Sequence, residues 1–163
     1  MGKKNEKRVK VRNLTIDDLA PVYHLGEKIF TLQSFPNLYR VWDEYEVVNF
    51  YTNDPESSFV AEIDGQIAGF ILSYIVNKSP KKYGYLVWMC VDPEFESKGL
   101  ASKLFDEFKK YMLENDVKVL LVDTEADNKK ALRFFMKKGF AKPNEQIYLT
   151  LNLDEAVPDN DKQ

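Results

Sequence analysis

The sequence predicts a mixed α/β layer built around one sheet. Two observations point to it: apolar runs of strand length alternate with segments of helical period, and the stretch "FVAEI", "DG", "QIAGFILSYIV" is a clear hairpin signature. A third is the core material. The chain is 44% apolar, with 11 Phe, 9 Tyr and 2 Trp, and its 163 residues fit one domain of ordinary size.

Residues 8–13, "RVKVRN", alternate and predict a first strand. Thr15 with Asp18 three positions on resembles a capping box, opening a helix through about Leu32. The stretch "SFPNLYRVW" breaks that helix, and a second runs from Asp43 to Tyr51, stopped by "TNDP". In the hairpin, Asp-Gly suits a type I′ turn. "NKSPKKYG" reads as a loop, and "YLVWMCV" as a central strand buried on both faces. A helix follows from about 99 to 115, because Leu100, Leu104, Phe108 and Met112 recur at four-residue steps with Ala101 and Phe105 beside them. "VKVLLVDT" is another buried strand. "NKKALRFFMKK" is a helix closed by Gly139 in a left-handed cap, and "QIYLTLNL" is a final alternating strand. With a short extra strand near 140, the total is six or seven strands and about four helices. Residues 8–153 form the expected domain, preceded by a basic arm, 1–7, and followed by an acidic tail, 154–163.

Net charge is −3 and the pI about 5.3, which is not the footprint of a nucleic-acid binder. The six basic side chains among the first twelve residues read as a solvated arm. No apolar stretch approaches the roughly 20 residues that span a bilayer, and the polar N-terminus is not a secretory signal. The one cysteine, Cys90, has no internal disulfide partner, no Cys/His spacing suggests zinc, and a cytoplasmic setting follows as the default. Cys90 itself reads as a buried, inert thiol rather than an acyl-accepting nucleophile, and His24 as a surface or half-buried residue of the first helix.

The most informative stretch is "VDPEFESKGLASKLF", residues 91–105, where a buried strand enters a short loop and a helix starts at once. A helix beginning at Gly99 leaves its first N–H groups without intrahelical partners, and its dipole adds partial positive charge there. Gly99 lets a bulky anion approach the backbone, and Lys98 adds a point charge. The arrangement suits a phosphate, but neither GxxxxGK[ST] nor GxGxxG is present. The loop alone reads equally well as a plain strand-to-helix connection.

With its surroundings, the loop resembles motif A of the GNAT acetyltransferase superfamily, V-x-P followed by Arg/Gln-x-x-Gly-x-Gly/Ala and a helix. Here it is Val91-Asp92-Pro93, then Glu96-Ser97-Lys98-Gly99-Leu100-Ala101. The family's N-x-x-A-x-x-F-Y-x-x-x-G-F appears as Asn128, Ala131, Phe134, Phe135, Gly139 and Phe140. The resemblance spans nearly the whole chain. It implies the GNAT fold with splayed central strands, and acetyl-CoA as cosubstrate with no metal. The amides of Ser97, Lys98, Gly99, Leu100 and Ala101 would hold the pyrophosphate. The Val91 amide would bond pantetheine, the Met89 amide would face the thioester carbonyl, and Asn128 would contact pantetheine or the acceptor region.

Two residues depart from the pattern. Glu96 stands where Arg or Gln is usual, and Phe135 where many members carry a Tyr that protonates the departing thiolate. The implied reaction is direct attack of a primary amine on the thioester in a ternary complex. The resemblance leaves the amine open between a small molecule, a protein α-amino group and a lysine. Glu125 is the first candidate for the base. Asp123 points the same way if the strand stays regular, and reads as structural, while Tyr85 lies on the neighbouring strand where some members place a Glu base. Acceptor specificity would come from the first two helices and their connection, where Phe35, Tyr39, Trp42 and Tyr45 either wall a pocket or pack on the sheet. Asp43, Glu44 and Glu46 would attract a cation. The alternative function is an acetyl-CoA-binding regulatory module with little or no turnover, and a weaker one is transfer of another acyl group. Dimers are common among proteins of this resemblance.

Overall fold

A computed structural model of the chain describes residues 9–36, 40–96, 98–151 and 153. The basic arm, Tyr39, Ser97 and the acidic tail lie outside the described residues. The chain divides into two units, residues 1–127 and 128–163.

The first unit holds a five-stranded sheet in the order β1 (Val9–Asn13), β2 (Phe59–Ile63), β3 (Gln66–Lys78), β4 (Lys81–Val91), β5 (Val119–Val122). The first four strands are antiparallel neighbours, and β5 runs parallel to β4. Its helices are α1 (Leu19–Ile29), α2 (Glu44–Asn53) and α3 (Leu100–Glu114). The expected β2–β3 hairpin turns at Asp64 and Gly65, both at positive φ (52° and 84°), as a type I′ turn requires. The predicted loop "NKSPKKYG" is instead paired strand, with Asn77 opposite Lys82 and Lys78 opposite Lys81. Lysines carry no periodic signal, so only cross-strand pairing reveals these residues as a hairpin arm.

The first helix begins with a 3-10 turn, Ile16–Asp18, where the Asp18 carboxylate accepts from the N–H and the hydroxyl of Thr15, both at 2.8 Å. The helix ends at Ile29, three residues short of expectation. Asp43, where the second helix was expected to begin, is its N-cap, accepting from the Glu46 N–H at 2.9 Å.

One face of the sheet carries α1 and α2 over a core of Val22, Leu25, Val47, Phe50, Phe70, Leu72 and Trp88. The other carries α3, whose buried Leu100, Leu104, Phe108 and Met112 are the stripe read from the sequence. A Cβ on Gly84 would fall 2.7 Å from Met112 Sδ, so glycine there lets α3 lie close to β4. Between Leu86 and Trp88 the register slips. Ser73 faces Leu86 and Leu72 faces Trp88, leaving Val87 as an extra residue. This β-bulge reverses the in–out alternation. Tyr85 packs on Tyr74 on the α1–α2 side, and Trp88, three positions later, lies on that same side among the core residues.

In the second unit, α4 (Lys129–Lys137) starts at Asn128, whose Oδ1 accepts from the Ala131 N–H at 3.1 Å. It ends in a Schellman motif: Phe140 N–H bonds Phe135 O, Gly139 N–H bonds Met136 O, and Gly139 has φ +100°. The predicted final strand "QIYLTLNL" and the strand near 140 are not formed among the described residues. Ile147, Leu149 and Leu151 stand exposed, because alternation selects a face for a strand but supplies no neighbour to pair with.

Candidate active site

The loop after β4 is held by Asp92. Its carboxylate accepts from the Glu94 N–H at 3.0 Å and from Lys28 Nζ at 3.3 Å, and its own N–H bonds Ala68 O on β3 at 2.9 Å. With Asp92 fixed and Phe95 buried, the chain makes one 3-10 turn, Pro93–Phe95, and enters α3 at Gly99. Gly99 has φ +72°, a left-handed conformation costly for residues with a Cβ. A Cβ built there meets nothing within 4 Å, so glycine serves the backbone angle and the space beside it is open. Lys103 N–H bonds Gly99 O at 3.1 Å, and the amides of Leu100 and Ala101 belong to the first turn of the helix, ahead of that bond. Lys98 Nζ sits 4.9 Å above the Phe95 ring, at the same mouth.

The strand leading into this loop has an open edge. β5 pairs with β4 only from Tyr83–Val119 to Leu86–Val122, and no described strand lies against that edge of β4 beyond Leu86. Since the Asp92 N–H points to β3, alternation along the strand turns the N–H groups of Val91 and Met89 the opposite way, toward the open edge. The loop and the edge together suit a chain that carries a diphosphate at one end and offers amide and carbonyl groups along its length. These features fit a coenzyme A thioester.

At the end of the paired region, the Tyr85 hydroxyl donates to the Asp123 carboxylate and accepts from Arg40 Nη2 at 3.1 Å. The Arg40 guanidinium lies 5.5 Å from the Tyr85 ring centroid, and Tyr74 packs edge-on against the same ring. Glu125, the first candidate from the sequence, is half-buried but lies three residues past the end of β5. The strand alternation that aligned it with Asp123 therefore does not reach it. Asp123, read from the sequence as structural, is the carboxylate that meets Tyr85.

Beside this cluster, α2 and the β3–β4 hairpin enclose a cleft of about 830 Å³, lined by Arg40, Glu46, Phe50, Tyr74 and Lys82 among others. Burial pushes the Glu46 carboxyl above the usual carboxylate range, and Asp43 adds to the rise. Trp88 and Arg40 only partly offset it. Trp42 does not line this cleft. It packs against Phe30, Phe70 and Trp88 at 5.1–5.4 Å between ring centroids, donates Nε1–H to Tyr23 O, and lies so close to Gly26 that a Cβ there would fall 2.1 Å from its ring. Phe35, half-buried, meets Phe30 at 6.1 Å. Both follow the reading of ordinary packing.

The second unit carries the remaining candidates. Asn128 caps α4 through its side-chain oxygen, and Phe135 is buried between Phe134 and Phe140, with centroids 5.3 and 5.4 Å away. Cys90 is buried, and burial followed by the charge of Asp92 pushes its thiol well up, as an inert thiol requires. His24 is exposed beside Glu27. Among the described residues no group of three His, Cys, Asp or Glu side chains is placed to hold a metal, and no helix is long and apolar enough to cross a membrane.

Arg40 and Tyr74 escaped the sequence reading. Arg40 sits in an aperiodic connection and Tyr74 in an apolar run, so neither carries a local signal, and only the fold brings them to Tyr85.

Comparison with known proteins agrees with this geometry. Residues 22–140 match the acetyltransferase (GNAT) family. An uncharacterised N-acetyltransferase of Archaeoglobus fulgidus is 28% identical over 137 residues, 78% of this chain and 88% of its own length. Another, of Methanocaldococcus jannaschii, is 24% identical over 136 residues, 80% of this chain, which spans 59% of that relative's length. Among solved structures, an aminoglycoside N-acetyltransferase, AAC(6')-Iy, in complex with CoA superposes with a TM-score of 0.72 at 16% identity, covering 91% of this chain and 98% of that one. Such identity shows a shared fold, and the match over most of the chain shows the family: the protein is a member of the GNAT acetyltransferases.

Proposed function

We propose that the chain is an N-acetyltransferase that moves the acetyl group of acetyl-CoA to a primary amine by direct attack in a ternary complex. The observation that carries this is the open edge of β4, with the Met89 and Val91 amides turned toward it, leading straight to the amide-lined mouth at Gly99. The amides from Lys98 to Ala101 hold the diphosphate, helped by the dipole of α3. Val91 N–H bonds the pantetheine arm. Met89 N–H meets the carbonyl oxygen as it gains negative charge.

The acceptor amine forms the new C–N bond as the C–S bond of the thioester breaks. Its proton passes to the Tyr85 hydroxyl, which hands its own to Asp123, and Arg40 keeps the hydroxyl in place. The sulfur leaves as a thiolate and takes a proton from water. Phe135 offers none, but a thiol with a pKa of about 8.5 gives a tolerable anion near neutral pH. Loss of such assistance slows the reaction by roughly 10²–10⁴-fold without abolishing it.

Calorimetric titration with acetyl-CoA tests the cradle. Gly99→Glu brings bulk, an unfavourable backbone angle and like charge to the phosphates, and is expected to weaken binding at least about 100-fold, or 2.7 kcal/mol. Undiminished affinity would move the phosphate site elsewhere. Tyr85→Phe is expected to lower kcat about 100-fold with acetyl-CoA affinity kept. If Glu125→Gln has that effect and Tyr85→Phe does not, the base is Glu125.

A further inference from the structure

Lys28 and Asp92 stand 64 positions apart in the chain, and the fold joins them. Lys28 belongs to the last turn of α1, on one face of the sheet. Asp92 follows the last residue of β4, where the chain turns toward α3 on the other face. Lys28 Nζ lies 3.3 Å from both Asp92 carboxylate oxygens. The Asp92 side chain is 12% exposed and that of Lys28 53%, so the acid is drawn in and the cation reaches it from the surface. Among the described residues no other lysine or arginine lies within ion-pair distance of that carboxylate.

Stability alone does not account for such a pair. The desolvation of a drawn-in carboxylate is roughly offset by one nearby ammonium, and an uncharged side chain of the same shape serves a fold as well. What the pair fixes is geometry. Asp92 is the pivot of the loop: its N–H bonds Ala68 O at 2.9 Å, its Oδ1 accepts from the Glu94 N–H at 3.0 Å, and its carbonyl accepts from the Phe95 N–H at 2.8 Å. The turn from Asp92 to Phe95 is thereby fixed against β3, and it sets where the chain stands on reaching Gly99. No side chain caps the start of α3, and the space beside Gly99 is open. The first-turn amides inherit their position from Asp92, and the Asp92 carboxylate takes its orientation from Lys28.

We propose that Lys28 is a positioning residue for the diphosphate of acetyl-CoA: through Asp92 it holds the loop so that the amides from Lys98 to Ala101 converge on the phosphates. This rests on the acetyl-transfer reading of the Gly99 loop. A through-space attraction of phosphates by the Lys28 ammonium predicts a different sign, because removing the Asp92 charge would then tighten binding. Where the pair positions the loop, removing either charge loosens it.

The test measures acetyl-CoA affinity by calorimetry, and kcat and KM by thiol release in the presence of a primary amine. The kinetics are repeated with S-acetylpantetheine, which lacks the diphosphate. Lys28→Met keeps the aliphatic stem, and Asp92→Asn keeps an oxygen for the Glu94 N–H. Each is expected to weaken acetyl-CoA binding at least about 5-fold, raising KM with kcat kept, and the double variant no more than either alone. Lys28→Arg, whose fork can meet both oxygens, is expected to stay within about twofold of native affinity. With S-acetylpantetheine, kcat/KM of every variant is expected within about twofold of native, which a general loosening of the fold would not allow. Native affinity in Lys28→Met, tighter binding in Asp92→Asn, additive losses, or equal losses with S-acetylpantetheine overturn the proposal and leave the acetyl-transfer reading intact. If the two variants loosen acetyl-CoA together, yet no amine brings thiol release, the positioning role stands and acetyl transfer falls. If the native protein does not bind acetyl-CoA, both fall.

Discussion

Asp18 and Glu46 are both carboxylates drawn in near an arginine, and their surroundings push them in opposite directions. Burial raises both. At Asp18 two bonds from Arg12, at 2.6 and 2.9 Å, and two from Thr15 outweigh burial and hold the carboxyl below its usual range. At Glu46 burial wins, because the neighbouring Trp88 indole N–H and the Arg40 guanidinium only partly offset it and Asp43 adds to the rise. The difference separates two uses of a charge. Asp18, whose lone pairs the protein answers, ties β1 to the start of α1, while Glu46 lines an open cleft with no ion-pair partner among the described residues.

The sharpest way to break this comparison is to remove Asp18. Asp18→Ala leaves Arg12 with Glu62 as its remaining acid, and strips Thr15 of its acceptor. The expected loss is about 3 kcal/mol, a fall in Tm of roughly 6–12 °C. A loss under about 1 kcal/mol by chemical denaturation would make the network decorative. A smaller effect follows from titration. The folded-state pKa of Asp18 lies below its unfolded value of about 4, so its contribution is present above that pH and disappears as pH falls through the lower folded value. Unfolding free energy measured from pH 5 to pH 2 should therefore fall less steeply in Asp18→Asn than in the native protein.

Glu62→Gln should cost only about 0.5–1 kcal/mol, since Arg12 keeps its two bonds to Asp18 and the Glu62 pair is partly solvated. The smallest effect has the opposite sign. A raised carboxyl pKa stabilises the fold where the group is protonated, and that contribution is lost as pH rises through the folded value. At neutral pH Glu46→Gln should thus stabilise the protein slightly. Solvent screening limits the gain to about 0.5 kcal/mol, or 1–2 °C in Tm. A clear destabilisation would place Glu46 with Asp18 as a structural acid.

Much of the architecture is legible in the sequence because its signals are local. Asp64-Gly65 marks the hairpin, the four-residue steps of Leu100 to Met112 mark α3, and Gly139 marks the end of α4. The Gly99 loop is legible for the same reason, since strand, turn and helix are contiguous. What escapes is non-local. The bulge at Val87 has no sequence signature, yet it puts Tyr85 and Trp88 on one face. The alternation used to pair Glu125 with Asp123 assumes a strand that ends three residues too early. Trp42 reads in the sequence as either a pocket wall or a packing residue, and only the fold decides between them by placing it in the aromatic core.

Thiol release from acetyl-CoA in the presence of primary amines, with the acetylated product identified by mass spectrometry, tests the central claim most directly. The account predicts release that depends on the amine, yields its N-acetyl derivative and collapses in Gly99→Glu. Tight acetyl-CoA binding with no release on any mono-, di- or peptide amine would contradict it and leave a protein that only binds the thioester.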